Sequence, residues 1–174
     1  MEYIVVSTSK CKYQEWQIRL LHWSLKKTNQ EGKLILLLSD DINHAGENTD
    51  FNFDSSIEIH ELPDWAKEWE VKEGEWWGGI PNKYEAIKWL TVNRDFKPDD
   101  RLLFLDPDMV FLESVQLYPK DNQIIAQEWV GAYPDRKAFM YPFALKFSTL
   151  KTFIDTYKEK CIEYRRGTKE WISE

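Results

Sequence analysis

The chain has 174 residues, enough for one domain with a substantial core. Thirty acidic residues against 23 basic ones give a formal charge of -7, and without a basic block this weighs against nucleic acid or an anionic membrane as partner. No apolar run reaches the length of a membrane span and no signal-like segment opens the chain. Cys11 and Cys161 lie far apart and form no metal-ligand spacing. Their spacing leaves a disulfide open, but free thiols in a soluble cytoplasmic protein are the expectation. Aromatic residues are abundant, with nine Trp, nine Phe and eight Tyr, and most such side chains fill cores.

In chain order, Glu2–Thr8 is β-branched and apolar and predicts a first strand. Tyr13–Lys27 carries apolar residues at imperfect helical spacing, and Asn29–Gly32 supplies a stop. Lys33–Ser39 is a continuously apolar second strand, so the three elements read as a βαβ unit with parallel strands. The polar stretch from Asn43 to Ser56 reads as a loop, and Ser56–His60 alternates as a short third strand. Asp64–Lys72 suggests a brief helix capped by Asp64, followed by a glycine-flanked loop through Trp76 and Trp77. Pro81 is placed to begin a helix over Asn82–Asn93, and Lys97–Asp100 turns the chain into another buried strand, Leu102–Leu105. Beyond Phe111, Gln123–Gln127 and Ala144–Phe147 read as strands, and Ser148–Arg165 as a helix capped by Ser148. The pattern predicts one α/β domain over residues 1–174, with a single doubly wound, mostly parallel sheet.

The chemistry concentrates where the buried strand ends, at Asp106-Pro107-Asp108. Acids at the carboxyl end of such a strand belong in the crevice where open α/β sheets bind ligands. Two close carboxylates repel each other and are costly to bury unless a cation holds them, and hard oxygen ligands suit manganese or magnesium. A plain turn is the bland reading, since Asp and Pro are ordinary turn residues. Ser7, Thr8 and Ser9 end the first strand on the same edge; their hydroxyls suit a base or ribose, and equally suit capping of the next helix. Asn82 and Lys83 start the helix before the acidic strand, where a helix amino terminus and an ammonium together attract phosphate. A solvated lysine is the ordinary alternative. Adjacent Trp76 and Trp77 cannot easily share one core, so an exposed ring could stack on a sugar or form a lid. His22, His44 and His60 have no partner at zinc-site spacing. A nucleophile elbow, a P-loop and a Gly-x-Gly-x-x-Gly fingerprint are all missing.

Taken together, Tyr13-Gln-Glu-Trp16-Gln17, Asn82-Lys83 with Ala86-Ile87 and Trp89-Leu90, and Asp106-Pro-Asp108-Met109 resemble a known family. In that order they are similar to the hydroxyproline O-arabinosyltransferases and peptidyl serine galactosyltransferases, within the GT-A nucleotide-diphospho-sugar transferase superfamily. The resemblance runs from the first strand to about Phe111 and implies a Rossmann-like GT-A architecture. It implies a UDP-sugar donor and a manganese (or magnesium) ion held by Asp106 and Asp108. Asp106 would also contact the ribose, and Thr8, Ser9 and Tyr13 would surround the base. Asn82 and Lys83 would meet the donor phosphates or sugar, and Trp76 and Trp77 the acceptor or a lid. Departures are Tyr84, where the family has proline, and a chain that stops soon after Trp171, where the family continues. The resemblance thus implies either a carboxyl-terminal truncation or a minimal relative whose acceptor site is built differently, with Glu174 as the candidate acidic residue approaching the transferred sugar. The acceptor, carbohydrate or peptide, is not identified by it.

Two rivals compete with a transferase. A haloacid-dehalogenase-type phosphatase also places Asp-x-Asp after an apolar strand, but needs a later acidic pair, and Asp121, Asp135 and Asp155 are all isolated. A non-catalytic module binding nucleotide sugar or glycan would account for the shortened carboxyl end.

Overall fold

The computed structural model describes residues 1–40, 51–65, 68–69, 79–129, 138–154, 156 and 159, with backbone alone for 79–80, 127–129 and 138–141. Six strands form one sheet: β1 (Glu2–Ser9), β2 (Lys33–Ser39), β3 (Glu58–Leu62), β4 (Arg101–Leu105), β5 (Ile125–Trp129) and β6 (Ala138–Lys146). Their order is β3-β2-β1-β4-β6-β5. The first four run parallel; β6 is antiparallel to β4, and β5 antiparallel to β6.

Side-chain alternation explains why the central strands are apolar throughout. Ile4, Val6, Leu36 and Leu38 turn to one face, where they meet Ile18, Leu21 and Leu25 of α1 (Lys12–Lys27). Val5, Ile35, Leu37, Leu102 and Phe104 turn to the other, against Tyr84, Ile87 and Leu90 of α2 (Gly79–Asn93). A strand covered on both faces has no polar side to show, which is the signature of a doubly wound parallel sheet. Each large side chain buried here contributes roughly 1.5–3 kcal/mol.

Helix α1 ends by a backbone device legible in its sequence. Asn29 adopts a left-handed conformation, with φ of 51°. Its N–H donates to Lys26 C=O, and Gln30 N–H reaches back to Leu25 C=O at 3.0 Å. This is the paired-bond arrangement of a Schellman stop. Gly32 then takes φ of 126°, close over the Ile4 side chain.

Several expected boundaries move. The third strand lies two residues later than Ser56–His60, and α2 begins at Gly79, leaving Pro81 in the first turn, where its missing N–H costs nothing. Most of the brief helix expected over Asp64–Lys72 lies outside the described residues; within them Glu68 N–H donates to Trp65 C=O at 3.0 Å. Strand β6 is much longer than Ala144–Phe147 and takes in Pro142. Its pairing with β5 jumps from Ala126–Phe143 to Gln127–Met140, so Tyr141 and Pro142 form the irregularity. Proline has no N–H for a ladder, and a bulge is where a strand can hold it. The last helix begins at 147 rather than being capped by Ser148. Its first N–H groups, on Phe147 and Ser148, are met by the Asp100 and Pro98 carbonyls at 2.9 and 3.1 Å.

Candidate functional site

Parallel pairing brings the carboxyl ends of β1, β2, β3 and β4 to one edge. Ser9 lies opposite Ser39, Ser39 opposite Leu62, and Val6 opposite Leu105, so Asp106 emerges beside Ser7. The chain then turns sharply, with Met109 N–H donating to Asp106 C=O at 3.2 Å and Pro107 in the second turn position. That turn leaves Asp108 exposed, while Asp106 keeps about a quarter of its side-chain surface.

Lys83 comes to this edge from the first turns of α2 and forms an ion pair, Nζ on Asp106 Oδ1. The two residues the sequence singled out separately are therefore in contact. Asn82, expected at the donor phosphates or sugar, is 3 % exposed, and both ends of its amide are engaged within the chain. Its Oδ1 accepts the Trp65 N–H at 2.7 Å and its Nδ2 donates to Asp64 Oδ1 at 2.9 Å. The amide thus ties the loop after β3 to the start of α2, and fixes the turn that presents Lys83. Tyr84, the departure from the resembled family, is 1 % exposed and sits in the core with its ring 5.4 Å from that of Trp69.

Thr8 is buried at the end of β1 and its hydroxyl donates to Gln14 Oε1 at 2.9 Å, while Ser9 is half-buried. Neither caps α1: the N-cap residue is Cys11, without a side-chain capping bond, and it is a buried free thiol. Tyr13 stands exposed in the first turn of α1, edge-on to Trp16. Two residues at this edge escaped the sequence reading. Lys10 follows β1 directly and pairs with Glu61, near the end of β3, at 2.8 Å. The only signal for it was its place immediately after a buried strand. Trp76, Trp77 and Glu174 lie outside the described residues. Among the described residues, no three His, Cys, Asp or Glu side chains cluster to hold a metal ion, and no helix is long and apolar enough to cross a membrane.

Four parallel strands, two antiparallel ones and helices on both faces give a mixed α/β fold that resembles the GT-A glycosyltransferase fold. The galactosyltransferase LgtC, solved with donor and acceptor sugar analogs, superposes with a TM-score of 0.56 at 11 % identity, over 94 % of this chain and 66 % of its own. An active-site mutant of LgtC gives 0.59 at 16 % identity, over 95 % of this chain and 65 % of its own. The chain therefore spans just under two-thirds of the length of these solved relatives, and at such identity the likeness establishes the fold alone. No protein-family profile matches the chain, and neither does any curated protein sequence.

Proposed function

We propose that this chain is the donor-binding part of a metal-dependent glycosyltransferase, which moves a sugar from a nucleoside diphosphate, UDP first among them, to a carbohydrate or peptide acceptor. The observation that carries the reading is the Lys83–Asp106 ion pair at the carboxyl edge of the parallel strands, with exposed Asp108 two residues on. Two carboxylates, with no third such ligand clustered beside them among the described residues, suit magnesium or manganese, which keeps waters and takes further ligands from substrate phosphates. Bound there by Asp106 and Asp108, such an ion would neutralise charge on the departing nucleoside diphosphate. Lys83, oriented by Asp106 and by the Asn82 tie beneath it, presents an ammonium to the same phosphates. Thr8, Ser9 and Tyr13, around the end of β1 and the first turn of α1, take the base and ribose.

Charge stabilisation at a leaving group is worth on the order of 10²–10³ in rate for one well-placed donor. Release of UDP from a panel of UDP-sugars with manganese should thus fall by about that factor in Lys83→Met. Native protein that releases no UDP from any donor, with or without candidate acceptors, would remove the catalytic part of the proposal. A non-catalytic nucleotide-sugar module is the second reading. It predicts nucleotide binding without turnover.

A further inference from the structure

Helix α1 has a second apolar row besides the one it buries. Ile18, Leu21 and Leu25 face the sheet. Trp16, Leu20 and Trp23, at spacings of four and three, share another face and are 51 %, 41 % and 60 % exposed. The segment after β4 runs close to the last turns of the helix. Phe111 N–H donates to Ser24 Oγ at 3.0 Å, which lays that segment along the helix and brings Val110 and 92 %-exposed Leu112 beside its last turns. Single exposed apolar residues need no explanation, but a contiguous aromatic row marks an interaction surface.

The charges beside the row select its occupant. Although the chain is acidic, α1 carries Lys12, Arg19, Lys26 and Lys27 against the single acid Glu15. Glu15 pairs with Arg19, and Lys26 with Asp54, while Lys12 and Lys27 stand exposed at the two ends of the row. A second copy docked by a two-fold axis through the middle of the row would set Lys12 against its mate's Lys27 if antiparallel. A parallel arrangement would set each lysine near its own counterpart. Both place like charges together. Tryptophan and tyrosine settle at the headgroup level of a bilayer, and lysine stems can lie along apolar surface with the ammonium at the phosphates. A convex helix face of this composition suits the interface plane of an anionic membrane.

We infer that the outer face of α1, centred on Trp16, Leu20 and Trp23 and flanked by Lys12 and Lys27, docks the protein on anionic lipid surfaces. The overall charge of -7 sums the whole molecule; near the row the acids are Glu15 and Asp54, paired with Arg19 and Lys26, and Glu113 beside Leu112, and fields from farther acids are screened beyond roughly 8 Å at physiological salt. The inference is independent of the transferase reading and is tested without turnover.

The test is co-sedimentation of the full chain with vesicles of phosphatidylcholine alone and of phosphatidylcholine mixed with phosphatidylglycerol, with circular dichroism verifying that each variant is folded. The native chain should pellet with the mixed vesicles far more than with the neutral ones, and less as salt is raised. Lys12→Ala with Lys27→Ala should lower the partition roughly 25-fold, at about fivefold per lysine. Trp16→Ser with Trp23→Ser should abolish it. Native chain that stays in the supernatant with both vesicles, or variants that pellet as the native chain does, would overturn the assignment. So would a dimer in sedimentation equilibrium that Trp16→Ser with Trp23→Ser converts to monomer, since the face would then belong to a second copy.

Discussion

Replacing Asn82 by alanine removes the tie between the loop after β3 and the start of α2. The substitution deletes a neutral hydrogen bond from Trp65 N–H and one to the Asp64 carboxylate, at 2.7 and 2.9 Å. A neutral bond contributes about 1 kcal/mol net and one to a charged group about 1.5–3 kcal/mol. Asn82 itself is 3 % exposed, but Asp64 and Trp65 are half-buried, so water regains part of the loss at their side. The expected cost is therefore about 2–4 kcal/mol. For a chain of this size that lowers the melting temperature by roughly 5–15 °C. Urea unfolding followed by far-ultraviolet circular dichroism measures it directly. Asn82→Asp sharpens the test, because it keeps the acceptor for Trp65 N–H but sets a second carboxylate against Asp64. It should be at least as damaging at pH 7, where the two carboxylates repel each other. A loss under about 0.5 kcal/mol for Asn82→Ala would place it among ordinary surface substitutions and refute the tie.

Phe104, 1 % exposed in β4, stacks on Phe143 of β6 with ring centroids 4.7 Å apart, so Phe104→Ala should cost about 3–5 kcal/mol by urea unfolding. Glu58 is held below its ordinary value; burial works to raise it, and the hydrogen bonds from Lys33 and His60 with the Arg94 charge outweigh that. A depressed carboxylate stabilises the fold above its unfolded value and loses that contribution as pH falls through the folded one. Glu58→Gln should therefore cost about 1–2 kcal/mol at pH 7 and much less at pH 3, and equal costs at both would refute the network.

Much of this fold is written in short apolar runs. Lys33–Ser39 reads as a buried strand because both of its faces are covered, and the same logic located β1 and β4 and the edge on which Asp106 and Asp108 stand. Asn29 announced the end of α1 through its tolerance of a left-handed backbone. What the sequence hid depends on distant partners. Pro142 argues locally against a strand, and only the register jump against β5 shows how β6 holds it. Ser148 resembles a cap, yet the helix is started one residue earlier by carbonyls of the 98–100 turn. At the site, Lys83 and Asp106 were each readable, but their contact required the packing of α2 on the sheet against β1, next to β4. Asn82 looked like a ligand group because it sits at a helix start; its burial and two internal bonds, which depend on the loop after β3, could not be read from the sequence. The exposed row on α1 was invisible for a related reason. Trp16, Leu20 and Trp23 mix with the buried row in sequence, and only the direction of the sheet separates them.

The central claim is that the carboxyl edge holds a nucleoside diphosphate through a divalent cation on Asp106 and Asp108 beside Lys83. Isothermal titration calorimetry of UDP, with and without manganese, on the native chain and on Asp108→Asn tests it most directly. The account predicts saturable binding that requires manganese and is lost, or weakened at least about tenfold, in the variant, as removing about 1.4 kcal/mol of binding free energy would do. Folded native protein that takes up no UDP in the presence of manganese, or an Asp108→Asn chain that binds it as tightly as the native one, would contradict it.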